Sequence, residues 1–127
     1  MVDEVINAFY DKDHNYVYGY DYVYTVDNTP QNDNEFCLHN HNDCYEIILF
    51  LAGYAEFHIE GKIYRSHPHD IHLVRPLEMH QNYFLSPKKY SRVIIYITLT
   101  FFRDNNCAEL EKIFTNRSLG MDCQIPS

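Results

Sequence analysis

The chain is divided into short strand-forming runs by regularly spaced turn residues, and that pattern leaves few folds open. The strongest run, Ser91 to Thr100, reads Ser-Arg-Val-Ile-Ile-Tyr-Ile-Thr-Leu-Thr and is β-branched nearly throughout. Before it come Tyr16 to Val26, Phe36 to His41, Cys44 to Leu51, Ala55 to Glu60, Lys62 to Ser66, Ile71 to Val74 and Tyr83 to Leu85. Pro30, Asn42-Asp43, Gly53, Glu60-Gly61, Pro68-His69-Asp70, Pro76 and Pro87-Lys88-Lys89 separate them. Glu60-Gly61 suits a tight hairpin turn. In Ala55 to Glu60 the alternation puts Phe57 and Ile59 on one face and Glu56, His58 and Glu60 on the other. The period changes after Thr100. Asp104 is placed to cap a helix from about Asn105 to Phe114, with Ala108, Leu110, Ile113 and Phe114 at helical spacing. Short strands with one late helix describe an all-β barrel or sandwich.

The remaining totals exclude more than they assign. A chain of 127 residues suits one domain. Twelve Tyr and eight Phe stand in for the missing Trp and favour strands. Tyr16, Tyr18, Tyr20, Tyr22 and Tyr24 share one parity, as on one sheet face. The net charge is −8 and the ten Lys and Arg are scattered, which argues against nucleic-acid binding by this chain itself. No apolar run has the length of a membrane span, and the N-terminus has no signal-peptide pattern. Cys37, Cys44, Cys107 and Cys123 form no dense framework, so we expect reduced thiols and a cytoplasmic location.

The chemistry concentrates between Cys37 and Gly53. His39 and His41 are two apart and face the same way in an extended chain. Glu46 follows on the next strand, and His80 arrives from a distant segment. Three imidazoles and a carboxylate suit Fe, Mn, Ni, Co or Zn, with positions left for water or substrate. The same groups also suit a metal-free polar pocket, in which Glu46 pairs with a neighbouring histidine. A structural zinc site on Cys37, His39, His41 and Cys44 fits poorly, because all four would come from one short strand and turn. His67, His69 and His72 read as exposed turn and strand-edge side chains, and His58 as solvated. Arg75 could meet an anionic ligand. There is no phosphate-binding Gly-rich loop and no nucleophile elbow.

Two groups of residues carry a resemblance to a known family. His39-Asn-His41, Glu46 and Gly53 are similar to the first cupin motif. Gly61, Pro68-His69-Asp70 and Pro76-Leu-Glu-Met-His80 are similar to the second. With Tyr45-Glu46-Ile, Leu51-Ala-Gly53, Tyr90-Ser-Arg92 and Phe114-Thr-Asn-Arg117-Ser-Leu-Gly120, the pattern resembles the N-terminal sensing domain of AraC-type transcription regulators over about residues 36 to 120. One departure stands out: the cupin turn has Gly where this chain has His69.

The resemblance implies an all-β, jelly-roll-like double-stranded barrel with a short C-terminal helix. Residues 1–127 would form one sensing domain: N-terminal strands and loop over 1–35, barrel core over 36–102, helix and exit segment over 103–127. It implies a small-molecule effector, such as a sugar, bound by His39, His41, Glu46 and His80 with Tyr45 and Arg75. The four-residue set is also where a divalent transition metal would sit, although the family implies no required cofactor and no catalysis. DNA would be reached only through a C-terminal domain absent from this chain, in a regulator that works as a homodimer away from membranes. The alternative is a metal-dependent cupin enzyme, an isomerase or dioxygenase.

Overall fold

The protein is described by a computed structural model covering residues 38–84 and 91–127, with three earlier strands described by their backbone. The strands are β1 (Phe9–Asp11), β2 (Tyr16–Tyr18), β3 (Tyr22–Asp27), β4 (Cys44–Ala52), β5 (Ala55–Ile59), β6 (Lys62–Arg65), β7 (Ile71–Val74), β8 (His80–Phe84), β9 (Ser91–Thr98) and β10 (Gln124–Ile125). The larger sheet runs β1-β2-β3-β9-β4-β7-β10 and the smaller runs β6-β5-β8. Every pairing between these strands is antiparallel. The β-branched run Ser91–Thr98 lies between β3 and β4, where both of its edges are hydrogen-bonded. Of the tyrosine stripe, Tyr16 and Tyr18 fall on β2 and Tyr22 and Tyr24 on β3; Tyr20, the side chains of the stripe and the loop around Pro30 lie outside the described residues.

The two sheets face each other. Ile48, Val74 and Ile94 from the larger sheet meet Phe57 and Ile59 from the smaller, and Cys123 joins them from the C-terminal segment. Phe57 and Ile59 are fully buried, each contributing on the order of 1.5–3 kcal/mol of apolar transfer free energy. The outer face of the larger sheet carries a second core, in which Tyr45, Leu73 and Ile97 pack under Phe102 and Phe114.

The turns follow the sequence closely. Glu60 and Gly61 have φ of 47° and 77°, the two positive values of a type I′ hairpin, and Ile59 pairs with Lys62 across it. His69 sits at φ 74°. The turn thus keeps the left-handed geometry that suits glycine, and histidine there carries about 1 kcal/mol of strain. The expected helix over Asn105–Phe114 is corrected. It is replaced by α1 (Phe101–Asp104), a 3₁₀ turn (Ala108–Glu111) and α2 (Lys112–Thr115). Asp104 ends α1 instead of capping a helix, and Asn106 at φ 56° interrupts the path between them. The break lets Phe102 and Phe114 both turn into the second core. No helix among the described residues is long and apolar enough to cross a membrane.

Candidate functional site

The alternation of β4 decides which of its side chains can reach the space between the sheets. Glu46 and Ile48 point inward, and Tyr45 and Ile47 point outward. Glu46 lies opposite Tyr96 on β9 and Val74 on β7. The His39 segment is held against β8 by a reciprocal pair of backbone bonds: His39 N donates to His80 O at 3.0 Å, and His80 N to His39 O at 2.9 Å. Leu77 N donates to His41 O at 2.6 Å and fixes the next histidine. These constraints bring the four residues together. One ligand atom from each of His39, His41, Glu46 and His80 lies within 4.8 Å of all the others.

Glu46 and His80 are buried, while His39 and His41 are half-exposed. The Glu46 Oε2 lies 2.9 Å from His80 Nε2 and 3.3 Å from His41 Nε2. These are ion-pair distances, but the angles are not those of hydrogen bonds, and all three buried atoms lack a hydrogen-bond partner. His80 Nδ1 donates to the Glu78 carbonyl at 2.8 Å, which orients the ring so that Nε2 faces Glu46. Burial favours a neutral Glu46. His41 and His80 outweigh it and hold the carboxyl well below its ordinary range. Burial likewise disfavours a charged His80, yet Glu46 and the Glu78 carbonyl hold the ring above its ordinary value.

Orphaned ring nitrogens and a carboxylate oxygen aimed at one another are what a bound cation or a polar ligand resolves. The donor set fits a first-row divalent metal, with His39, His41, Glu46 and His80 as its ligands. Tyr96 adds a wall to this site that was not anticipated. Its ring meets His41 edge-on at 5.4 Å, and its position opposite Glu46 depends on a strand register that the sequence does not reveal.

Other expected participants are placed elsewhere. Tyr45 faces the second core, packed against Phe102 and Phe114, because it is one residue out of phase with Glu46. Arg75 donates to the carbonyls of Thr115 and Arg117 at 3.1 and 3.0 Å, so its guanidinium faces the C-terminal segment. Cys44 is buried and is not among the converging atoms; Cys37 lies outside the described residues. His67 and His69 are exposed as expected. His72 is not: it is 1% exposed and stacks on Phe57 at 4.4 Å and 5° between planes. It shares the inward parity of Val74 on β7, which a turn-based reading overlooks. His58 is half-buried, stacked on Tyr83 and 3.1 Å from Glu56.

Comparison with known proteins identifies the family and the fold. The family pattern of the AraC-like ligand binding domain matches residues 25–112, well over half of the chain. The chain belongs to that family. Among solved structures, a cupin protein from Bacteroides fragilis superposes with a TM-score of 0.53 at 17% identity, covering 62% of this chain and 67% of its own. A protein with a double-stranded beta-helix domain from Klebsiella pneumoniae gives 0.56 at 21%, covering 77% and 82%. DMSP lyase DddQ from Ruegeria pomeroyi gives 0.54 at 21%, covering 65% of this chain and 41% of its own. At these identities the likeness establishes the cupin fold. A comparison with curated protein sequences gave no significant match. The chain thus combines an AraC-like ligand binding domain with a cluster of three imidazoles and a carboxylate.

Proposed function

We propose that the chain is the sensing domain of an AraC-type transcription regulator. A small metabolite such as a sugar enters the barrel and is oriented by His39, His41, Glu46 and His80. Its occupancy then biases a DNA-binding domain of the same regulator, a cytoplasmic homodimer. The supporting observation is an inward cluster of three imidazoles and a carboxylate in a chain of the AraC-like ligand binding family. A coupling of about 1–3 kcal/mol between the sites suffices for a roughly 5- to 150-fold change in DNA affinity. A thermal-shift screen of metabolites tests the reading. A stabilising compound is expected whose effect is lost in both His41→Ala and Glu46→Gln. Stabilisers that act equally on both variants would count against it.

The orphaned atoms Glu46 Oε2, His41 Nε2 and His80 Nε2 favour a second reading, a metal-dependent cupin enzyme. A divalent metal held by His39, His41, Glu46 and His80 would supply Lewis acidity or activate O₂. In that case the chain's own contribution is to orient His80 through the Glu78 carbonyl and to keep Glu46 ionised. Metal analysis of protein purified without a chelating column separates the readings. Near-stoichiometric metal that disappears in His41→Ala supports the enzyme; traces indifferent to that substitution exclude it.

A further inference from the structure

Glu78 belongs to two structures at once. Its carbonyl holds the His80 ring at 2.8 Å inside the site. Its side chain is fully buried and turns the other way, to the C-terminal segment. There Oε2 accepts from Arg117 Nη1 at 2.6 Å and Gly120 N at 2.8 Å, and Oε1 accepts from Arg117 Nη2 at 2.8 Å and Arg75 N at 3.1 Å. Two parallel N–H···O bonds fix the guanidinium in one orientation.

The rest of the loop is tied in the same two directions. On the site side, Leu77 N binds His41 O, and Asn40 Nδ2 reaches Leu77 O at 3.4 Å. On the far side, Arg75 Nη1 holds the carbonyls of Thr115 and Arg117. Gly120 closes the seat. It has φ +72°, and a Cβ there would lie 2.9 Å from the Ile59 carbonyl and from Glu60 Cβ. Between these anchors Leu77 is 62% exposed at φ 69°, a strained conformation for a side chain that gains no burial from it. A loop with its polar groups so engaged does not deform gradually, and a pull on His41 or His80 moves it as a unit.

We propose that the loop from Arg75 to His80 couples the His39–His41–Glu46–His80 site to the seat of the Arg117–Gly120 segment, with Glu78 as the positioning residue. The proposal rests on the reading of that cluster as the ligand site. It gives the site an output route through this chain: a ligand that draws His41 and His80 together shifts Glu78 and changes how firmly Arg117 and Gly120 are held. By reciprocity, displacing the segment changes affinity at the site by the same factor.

Hydrogen exchange read by mass spectrometry over residues 115–123 of the whole chain tests this. Glu46→Gln perturbs the site without reaching the segment. It should change exchange at residues 117–121 by at least about fivefold, whereas Phe50→Ala near the other end of β4, a destabilisation of similar size, should not. Nickel(II), used as a probe of the site, should bind at least about fivefold more weakly or more tightly to Gly120→Ala than to the parent chain. A folded Glu46→Gln chain whose segment exchanges within twofold of the parent overturns the proposal. So does a Gly120→Ala chain with a loosened segment and unchanged nickel affinity. If nickel does not bind the parent, the Glu46→Gln comparison decides alone. If the segment responds to Glu46→Gln while no metabolite or metal moves it, the coupling stands and the sensor reading falls.

Discussion

His72 should set the acid limb of this protein's stability. Its ring is 1% exposed and stacked on Phe57, and burial lowers its pKa from 6.5 to about 4, only partly opposed by Asp70. The folded-state value lies below the unfolded one. Between pH 6.5 and 4 the unfolded chain therefore binds a proton that the folded chain refuses, and stability falls as pH falls through that window. At 1.36 kcal/mol per pH unit the loss reaches about 2–3 kcal/mol near pH 4.5. His72→Phe keeps a flat ring against Phe57 and removes both the titration and the Nδ1 atom that has no partner. Urea unfolding at pH 7 and about pH 4.5 measures the difference. Near neutrality the variant should lie within about 1.5 kcal/mol of the parent. Near pH 4.5 it should gain about 2–3 kcal/mol on the parent relative to that, a midpoint shift of about 1 M for an m-value of about 2 kcal/mol/M. Curves that stay parallel between the two pH values refute the argument. The site itself titrates in other windows. Glu46 is held below its ordinary value, so its contribution is lost only as pH falls below the usual carboxylate range. His80 is held above, so its contribution is present in acid and lost as pH rises past about 6.5 through its raised value.

The buried pair of Glu78 and Arg117 should behave asymmetrically. Arg117→Met leaves a buried carboxylate without its cation and should cost about 3–5 kcal/mol, whereas adding Glu78→Gln should recover much of that; calorimetric or denaturant melts of both variants check it. His69→Gly relieves a left-handed φ at an exposed position whose backbone N–H still binds Phe50 O. A gain of about 0.5–1 kcal/mol in urea unfolding is expected, and a loss would show that the histidine ring stabilises the turn. Gly120→Ala meets the Ile59 carbonyl and a positive φ together, and should lower the thermal midpoint by several degrees. Metal loaded onto the site should displace the proton that the His80 ring carries beside Glu46, so proton release on nickel binding, read in buffers of different ionisation enthalpy, should be largest below the raised His80 value.

The parts of the fold that were legible are those written in local periodicity. The strand Ala55–Ile59 follows alternation, β4 is an apolar run bounded by turn residues, and the hairpin at Glu60-Gly61 follows turn chemistry. His39, His41 and Glu46 could be chosen because parity and motif spacing lie within eight residues, and His80 because a histidine after the proline-led segment could complete the set, as the family resemblance also has it. Parity also contained two answers that were missed. Tyr45 is next to Glu46 and must point away from it, and His72 is two before Val74 and must point inward with it. The helix failed for a different reason. The spacing of Ala108, Leu110, Ile113 and Phe114 is compatible with one helix, but tertiary packing breaks it so that Phe102 and Phe114 reach the same core.

What no local reading could supply is the role of Glu78. Its partners Arg117 and Gly120 lie about forty residues further along the chain, brought to it by the fold that pairs β7 with β10 and sets the loop after β7 against His41. In sequence Glu78 is an acidic residue in a proline-led loop, where a solvated carboxylate is the ordinary expectation. In the structure it is fully buried, and four donors satisfy its two oxygens. A buried charge this fully engaged is costly to assemble and is often no more stabilising than an apolar substitute. Its value therefore lies in what it positions. If Glu78→Gln/Arg117→Met proves as stable as the parent chain but no longer links Glu46→Gln to exchange at residues 117–121, the ion pair is there for coupling; if the link survives in that double variant, the pair is only structural and the coupling runs through the backbone of the loop.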